Sequence, residues 1–441
     1  MTISSRFRRV ATYAAAFVLI GYAIVSVADA VRTSQQDGGS PDFHAYWTGA
    51  ILLRQNVEPW NGALDLHPVS VPIKHLVGSD TKVVPVPPLR YMPPGVTAPL
   101  ALVLIVFTEL TWNIAKFVWL LINLSALVST PILAVRIARR YGLPVEPIGT
   151  WTIGLLLSAM SFTRLAIGHG QITLVILWLA LVALLLGDSK SPWQRLAGGI
   201  LLGLALSKPS VLLGAVLFLL LRRRYDVILA AFGVQLIGLF IAAEITNESP
   251  IGVVSGYWRV VKFSASLEGP MNLAQSPILQ GRSQLGTVLV IAVALLTILA
   301  IRQPLMRRYR APAEQAGPFD FTFYALMSTF MLLVTYHYTY DAVHMLPVFV
   351  LVYIFYSSLG SSALSYRTHL GFGATAFWVL VPLLPGAVLD SYLFRGWSDL
   401  VVALHTLVLM TLMVFLTLRL RSCPVRSSSY YPGGDKSTAI P

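Results

Sequence analysis

Long apolar runs separated by short basic clusters recur along the whole chain. Ala11 to Ala30 follows Arg6, Arg8 and Arg9, and Trp112 to Val135 leads into Arg136, Arg139 and Arg140. Leu285 to Ile301 leads in the same way into the basic stretch Arg302 to Arg310. An apolar run of about 20 residues is the length of a membrane-crossing helix, and Lys and Arg collect on the cytoplasmic side. Ile148 to Ile167, Thr173 to Leu186, Val227 to Ala243, Phe319 to Tyr336, Val343 to Phe355, Leu370 to Val388 and Leu400 to Leu418 alternate in direction when this rule is applied. The pattern predicts an all-α, polytopic membrane protein of about twelve transmembrane helices with both termini cytoplasmic. The first run resembles a signal peptide at its start but is too long, and Asp29 interrupts a cleavage site, so it reads as an uncleaved span.

Two stretches do not fit a plain crossing. Pro94 to Phe107 is short and falls where parity allows no extra span, so it is expected to be re-entrant or interfacial. Residues 196–221 have Arg195 on one side and Arg222, Arg223 and Arg224 on the other, so both ends belong on the cytoplasmic side. A broken hairpin satisfies this, with its break at Ser207-Lys208-Pro209 and Lys208 at the outer tip. Residues 1–421 are then one membrane-embedded domain with external loops at 31–91 and 244–284. Residues 422–441, rich in Ser, Pro and Gly, read as a disordered cytoplasmic tail.

The first external loop opens on Ser40-Pro41-Asp42-Phe43-His44-Ala45-Tyr46-Trp47. Ser40 suits an N-cap and Pro41 the first helical position, which puts Asp42 in the first turn, where the helix dipole favours an ionised carboxylate. Phe43, Trp47 and Ala50 fall at i, i+4 and i+7, an apolar stripe suited to an external amphipathic helix at the membrane interface, with Asp42, Tyr46 and Gly49 along a neighbouring line. Asp42 reads equally as a cap or as a catalytic base.

Composition narrows the class. With 56% hydrophobic and 12% charged residues in 441 positions, little material is left for a separate soluble domain. The net charge of +13 comes from arginine clusters between apolar runs, which is membrane topology rather than a nucleic-acid surface. Cys423 is the one cysteine, so neither an intramolecular disulfide nor a cysteine-based metal site can form.

Topology gathers Asp42, His44, Arg164, His169, Lys208, Arg259, Glu268, His337 and Asp341 toward the external side. Ionisable groups in membrane-embedded sequence are costly unless paired or placed in a cavity, so a polar chamber is expected there. Each has a plainer reading too: Arg164 and His169 as anchors at span ends, Asp341 as a helix cap, and His337 as one member of an aromatic belt with Tyr336, Tyr338 and Tyr340. A carboxylate, several cations and a lipid-accessible cleft suit a lipid-linked phosphosugar, whose phosphate needs cationic donors and whose acceptor hydroxyl needs a base. Inverting substitution asks for a single such base.

Four marks in order give the chain a family likeness: Asp42-Phe43-His44-Ala45-Tyr46-Trp47 with Glu58-Pro59-Trp60, Tyr91-Met92-Pro93-Pro94, Gly168-His169-Gly170-Gln171, and the glycine-rich stretch from Ala197 through Lys208-Pro209 to Arg224. In these the chain resembles glycosyltransferase family 87, the polyprenyl-phosphate-mannose-dependent α-mannosyltransferases of the GT-C superfamily. The resemblance implies a GT-C-type fold and transfer of a sugar, most readily mannose, from a polyprenyl phosphate sugar donor to a lipid-linked or cell-envelope glycan acceptor outside a bacterial plasma membrane. It implies Asp42 as the base, His337 as a second catalytic group, and Lys208 with Arg164 and His169 on the donor phosphate. His44, Tyr46, Trp47, Trp60, Tyr91, Gln171, Tyr257 and Arg259 are the expected substrate-binding residues. No cofactor is expected, and no metal, because no Asp-x-Asp pair occurs in the external loops. Two rivals stand beside this reading: a polyprenyl-phospho-arabinofuranose-dependent transferase, and a transporter or flippase of lipid-linked saccharides. The second would be expected to carry an internal repeat, and none is evident.

Overall fold

The computed structural model describes residues 3–36, 38–60, 70–73, 82–85, 95–266, 283–312, 317–334, 339–358 and 397–422. The expected span Leu370 to Val388, all of the expected tail 422–441 but Ser422, Tyr91, Glu268 and His337 lie outside them. The described residues form helices α1 (Ile3–Gln35), α2 (Pro41–Arg54), α3 (Ala98–Leu104), α4 (Trp112–Arg140), α5 (Pro147–Ala159), α6 (Ser161–Gly168), α7 (Thr173–Gly187) and α8 (Pro192–Ala205). There follow α9 (Pro209–Leu221), α10 (Tyr225–Thr246), α11 (Pro250–Ser266), α12 (Ser283–Arg310), α13 (Pro318–Val334), α14 (Leu346–Ser358) and α15 (Trp397–Ser422). Strands β1 (Ser70–Ile73) and β2 (Lys82–Pro85) pair antiparallel, Val71 opposite Val84.

Helix α4 sets the scale of the molecule. At 1.5 Å per residue its 29 residues run about 43 Å, enough to cross a bilayer core, so its ends mark two faces. Trp112, Lys116 and Trp119 mark one, and Arg139, Arg140 and the following Tyr141 the other. Ala16–Gln35 of α1, Tyr225–Thr246 and Val288–Arg310 have the same capacity by length and hydropathy, and α5 with α6 adds a bent pair. The protein is thus a multi-pass helical membrane protein. The twelve crossings expected from the apolar runs are not matched by this number of long helices among the described residues. Several runs, such as α7 and α9, are short helices of 15 and 13 residues whose apolar side chains are mostly buried against other helices.

Three local expectations change. The run from Ile148 to Ile167 is broken at Met160, whose backbone is extended, and bends by 64° there, although no proline announces it. Of the loop expected after Ala243, residues 244–266 are largely helical: α10 continues to Thr246 and α11 follows after three residues. The third change concerns α2. Phe43 and Ala50 are fully buried, Trp47 nearly so, and the neighbouring line of Tyr46 and Gly49 is buried as well. The stripe faces protein rather than the bilayer interface, because apolar periodicity identifies the buried side of a helix but not what buries it.

Glycines explain how α8 fits. A Cβ on Gly198 would stand 2.8 Å from the Gly187 nitrogen on α7, one on Gly199 2.8 Å from the Val227 carbonyl on α10, and one on Gly203 2.9 Å from the Ala231 carbonyl. Small residues let membrane helices approach this closely, so α8 is wedged between α7 and α10. Arg195, near the start of α8, meets Asp226 at 2.5 Å and donates to the Ser189 carbonyl, while Arg222, past the end of α9, meets Asp188 at 3.1 Å. Both outer ends of the α8–α9 pair therefore lie at the Asp188–Ser189 turn, and the break at residues 206–208 lies at the far end.

That basic end is held by buried charge. Asp320, fully buried at the start of α13, accepts from Arg308 at 2.6 and 3.0 Å and from Arg222 at 3.2 Å; Asp188 accepts from Arg222, Arg224 and Tyr141. Two carboxylates thereby join the ends of α4, α7, α9, α12 and α13. Removing one partner of a buried ion pair leaves the other charge unsolvated. Asp320→Ala should therefore cost about 3–5 kcal/mol of stability, read as a large fall in melting temperature of the detergent-solubilised protein, and an unchanged melt would show that the pairs contribute little.

Candidate active site

At the other end of α4 the chain turns from α1 into α2, and this turn is tied to a second one between α6 and α7. Ser40 adopts a left-handed backbone (φ 57°) and makes no side-chain cap. Its hydroxyl lies 3.1 Å from Ser34 Oγ and 3.2 Å from the Ser34 carbonyl, folding the turn back on α1. The expected serine cap is replaced by a carbonyl: the first free N–H groups of α2, those of Asp42 and Phe43, donate to the oxygen of His169 at 3.1 and 3.4 Å, and Ser40 N–H donates to Gly168 at 3.2 Å. A helix start must satisfy these donors somehow, and here another loop does it. Two of the four sequence marks, residues 42–47 and 168–171, therefore meet directly.

Side chains lock the same junction. Phe43 stacks on Trp119 at 4.8 Å and on Trp112 at 5.7 Å, with Phe107 edge-on at 5.7 Å. Trp119 donates to the Gly170 carbonyl at 2.7 Å and Trp47 to the Phe107 carbonyl at 3.0 Å. Lys116 donates to the carbonyls of Gln35 and Gln36, a cation closing the C-terminus of α1. Gly170 has φ +67°, and a Cβ there would lie 2.8 Å from Phe43 Cβ and 2.9 Å from Ser40 Cβ. Only glycine serves both needs.

On this frame Asp42 projects from the first turn of α2. Its Oδ2 is buried without a hydrogen-bond partner among the described residues, and His169 Nδ1 stands 3.5 Å away, beyond normal bonding length. Buried carboxylate oxygens are rarely left so. One turn further, Tyr46 donates to Gln171 Oε1 at 2.9 Å. Burial, then the charges of Asp42 and Asp341, push the Tyr46 hydroxyl well above its ordinary value, so it stays a neutral donor.

Asp341 belongs to the next group. In the turn before α14 and fully buried, it accepts from Thr173 at 2.8 Å and from Lys208 at 2.5 Å, and Lys208 also reaches Thr173 at 3.1 Å. Ser207 beside it accepts from Thr97 N–H at the start of α3. Asp42, Tyr46, Gln171, Thr173, Asp341 and Lys208 thus form one polar neighbourhood at the Trp112 end of the bundle, drawn from α2, α7, the α8–α9 break and the turn before α14.

The remaining expected residues fall as follows. Arg164 lies 2.8 Å from Asp29 of α1. Trp47 and Trp60 are buried, Trp60 donating to the Val96 carbonyl at 3.1 Å, so neither ring presents an open face. His44 is half-buried, edge-on to Trp112 at 5.0 Å, and burial lowers its pKa from 6.5. Tyr257 is half-buried on α11, where burial raises its hydroxyl to about 12, and Arg259 on the same helix is exposed. Thr173 was not among the expected site residues, and Asp341, expected in the external polar chamber, read equally as a helix cap and was given no role. Its signal was the need of Lys208, embedded at a helix break, for a buried anion.

The sequence profile of glycosyltransferase family 87 matches residues 96–335, more than half of the chain. The chain belongs to glycosyltransferase family 87. It is therefore a membrane glycosyltransferase, and the matched stretch contains the α6–α7 turn and the Lys208 break. No curated protein matches the chain. Among solved structures, that of ArnT from Cupriavidus metallidurans bound to undecaprenyl phosphate is similar at 12% identity, over 90% of this chain and 76% of that one, with a TM-score of 0.36. That overlap is too loose to bear on the site of this family 87 chain.

Gly170→Ala should shift the α2 start and cost about 1–3 kcal/mol through strain in the left-handed region and the clash with Phe43. Its melting temperature and transfer activity should fall together; wild-type values for both would show that the junction is not tight.

Proposed function

We propose that this family 87 protein transfers a hexose, mannose, from a polyprenyl phosphate carrier to a hydroxyl of a lipid-linked or cell-envelope glycan, with inversion at the anomeric carbon. The GT-C-type site faces the non-cytoplasmic side of a bacterial plasma membrane, with both termini cytoplasmic. Asp42 is the general base. The observation that carries this reading is its Oδ2, buried at the N-terminus of α2 with no hydrogen-bond partner among the described residues and with His169 Nδ1 just out of bonding reach at 3.5 Å.

In this mechanism the acceptor hydroxyl gives its proton to Asp42 while its oxygen attacks C1 of the sugar. The bond from C1 to the carrier phosphate oxygen breaks, and its electron pair leaves with the polyprenyl phosphate. The charge that develops there needs a fixed cation. Lys208 supplies it, with its ammonium aimed by Asp341 and Thr173. A positive group held in place by neighbours needs no rearrangement at the moment of transfer. A second cationic group besides Lys208, His169 or His337 or, if it leaves Asp29, Arg164, is proposed to act near the phosphate.

Asp42→Asn keeps the shape of the side chain and removes the base, so turnover with a short-chain polyprenyl phosphomannose should fall by about 10²–10⁴-fold while donor binding persists. Near-normal turnover in purified membranes would remove Asp42 from this role. Lys208→Ala should lower turnover by about 10²–10³-fold. An unchanged turnover would make the Lys208–Asp341 pair a structural tie between the helix break and the turn before α14.

A further inference from the structure

At the basic end of the molecule, α12 and the end of α15 line an open cavity of about 1280 Å³. Arg302, Arg307 and Arg310 of α12 and Arg421 of α15 line it, and among the described residues no carboxylate does. These four guanidinium groups have no ion-pair partner among the described residues, although Arg308, beside Arg307, is paired with Asp320. The cavity therefore concentrates positive charge that no carboxylate among the described residues neutralises. Its other wall is apolar. Leu296 and Leu299 line it one to two turns before Arg302, and both are about two-thirds exposed on Val288–Arg310, a stretch apolar enough to cross a membrane. From Leu296 to Arg307 the helix rises about 16 Å, the depth over which a bilayer passes from acyl chains to headgroup phosphates. Pro304 sits between, and having no N–H it cannot donate to the carbonyl of Ala300, which also lines the cavity.

We propose that this cavity binds one anionic phospholipid: its phosphate is held by Arg302, Arg307, Arg310 and Arg421, and its acyl chains lie along Leu296 and Leu299. Charge complementarity selects the headgroup, since guanidinium forks pair well with phosphate oxygens. The apolar wall selects a lipid over a free anion. The site is separate from Asp42, because the Arg308–Asp320–Arg222–Asp188 chain of ion pairs places it near the Arg140 end of α4. A lipid bound there would bridge α12 and α15.

The test is native mass spectrometry of the full-length, detergent-purified protein, titrated separately with phosphatidylglycerol, with phosphatidylcholine of identical acyl chains, and with glycerol 3-phosphate. Phosphatidylglycerol should bind at least about tenfold more tightly than phosphatidylcholine, and glycerol 3-phosphate should not bind in the same range. Arg302→Gln with Arg307→Gln should erase that preference. Arg136→Gln with Lys190→Gln, which removes the same charge from exposed positions outside the cavity, should keep it. Equal affinity for the two lipids, a preference that survives in the cavity variant, or equal loss in both variants would overturn the proposal. Glycerol 3-phosphate binding as tightly as phosphatidylglycerol would overturn it too, by making the site one for a free anion. If the cavity variant does not fold, the three wild-type titrations decide the matter alone.

Discussion

The site depends on one carbonyl oxygen. His169 accepts the first two free N–H groups of α2, so the start of that helix is fixed by the α6–α7 turn rather than by its own side chains. Fixing the start fixes the rotation. Phe43 then enters the cleft of Trp112, Trp119 and Phe107, Tyr46 meets Gln171, and Asp42 is left beside the His169 ring. Each aromatic pair contributes about 0.5–1.5 kcal/mol beyond burial, which is enough together to hold a short helix. The left-handed backbone of Ser40 is the local strain that this docking sustains, whereas Gly170 adopts the same region freely.

The molecule treats charge differently at its two ends. At the Arg140 end the carboxylates of Asp188 and Asp320 are each shared among several cations, which ties helix ends together. At the Trp112 end there are fewer cations among the described residues, and the Asp42 Oδ2 is buried with no hydrogen-bond partner among them. Buried polar groups left open in this way are where chemistry is to be sought, because the fold gains nothing from them. The Lys208–Asp341 pair joins the two styles: it is ion-paired with its carboxylate fully buried, yet Tyr46 lies within the fields of both Asp341 and Asp42.

The sequence made the broad architecture legible, since apolar runs and arginine clusters report membrane helices directly. The break at Lys208 was legible for the same reason, because the basic clusters on both sides of residues 196–221 demanded a turn. Asp42 stood out through its place in a first helical turn. What the sequence hid was partnership across the fold. The stripe of Phe43, Trp47 and Ala50 announced a buried face, but protein and lipid bury apolar groups alike. Asp188 and Asp320 sit among arginines, where positive charge reads as topology and a lone carboxylate draws no notice. Asp341 looked like a cap because the residue that needs it, Lys208, is 133 positions away. The bend at Met160 had neither proline nor glycine to mark it.

The central claim is that Asp42 and Lys208 serve one site, Lys208 on the donor phosphate and Asp42 on the hydroxyl that attacks the donor's sugar. A cryo-electron microscopy map of the protein in a lipid nanodisc, with a non-transferable polyprenyl phosphosugar bound, tests it most directly. The account predicts the phosphate within hydrogen-bond reach of Lys208 and the sugar ring on the side toward Asp42. A donor seated elsewhere in the bundle, or one whose sugar lies away from Asp42, would contradict it.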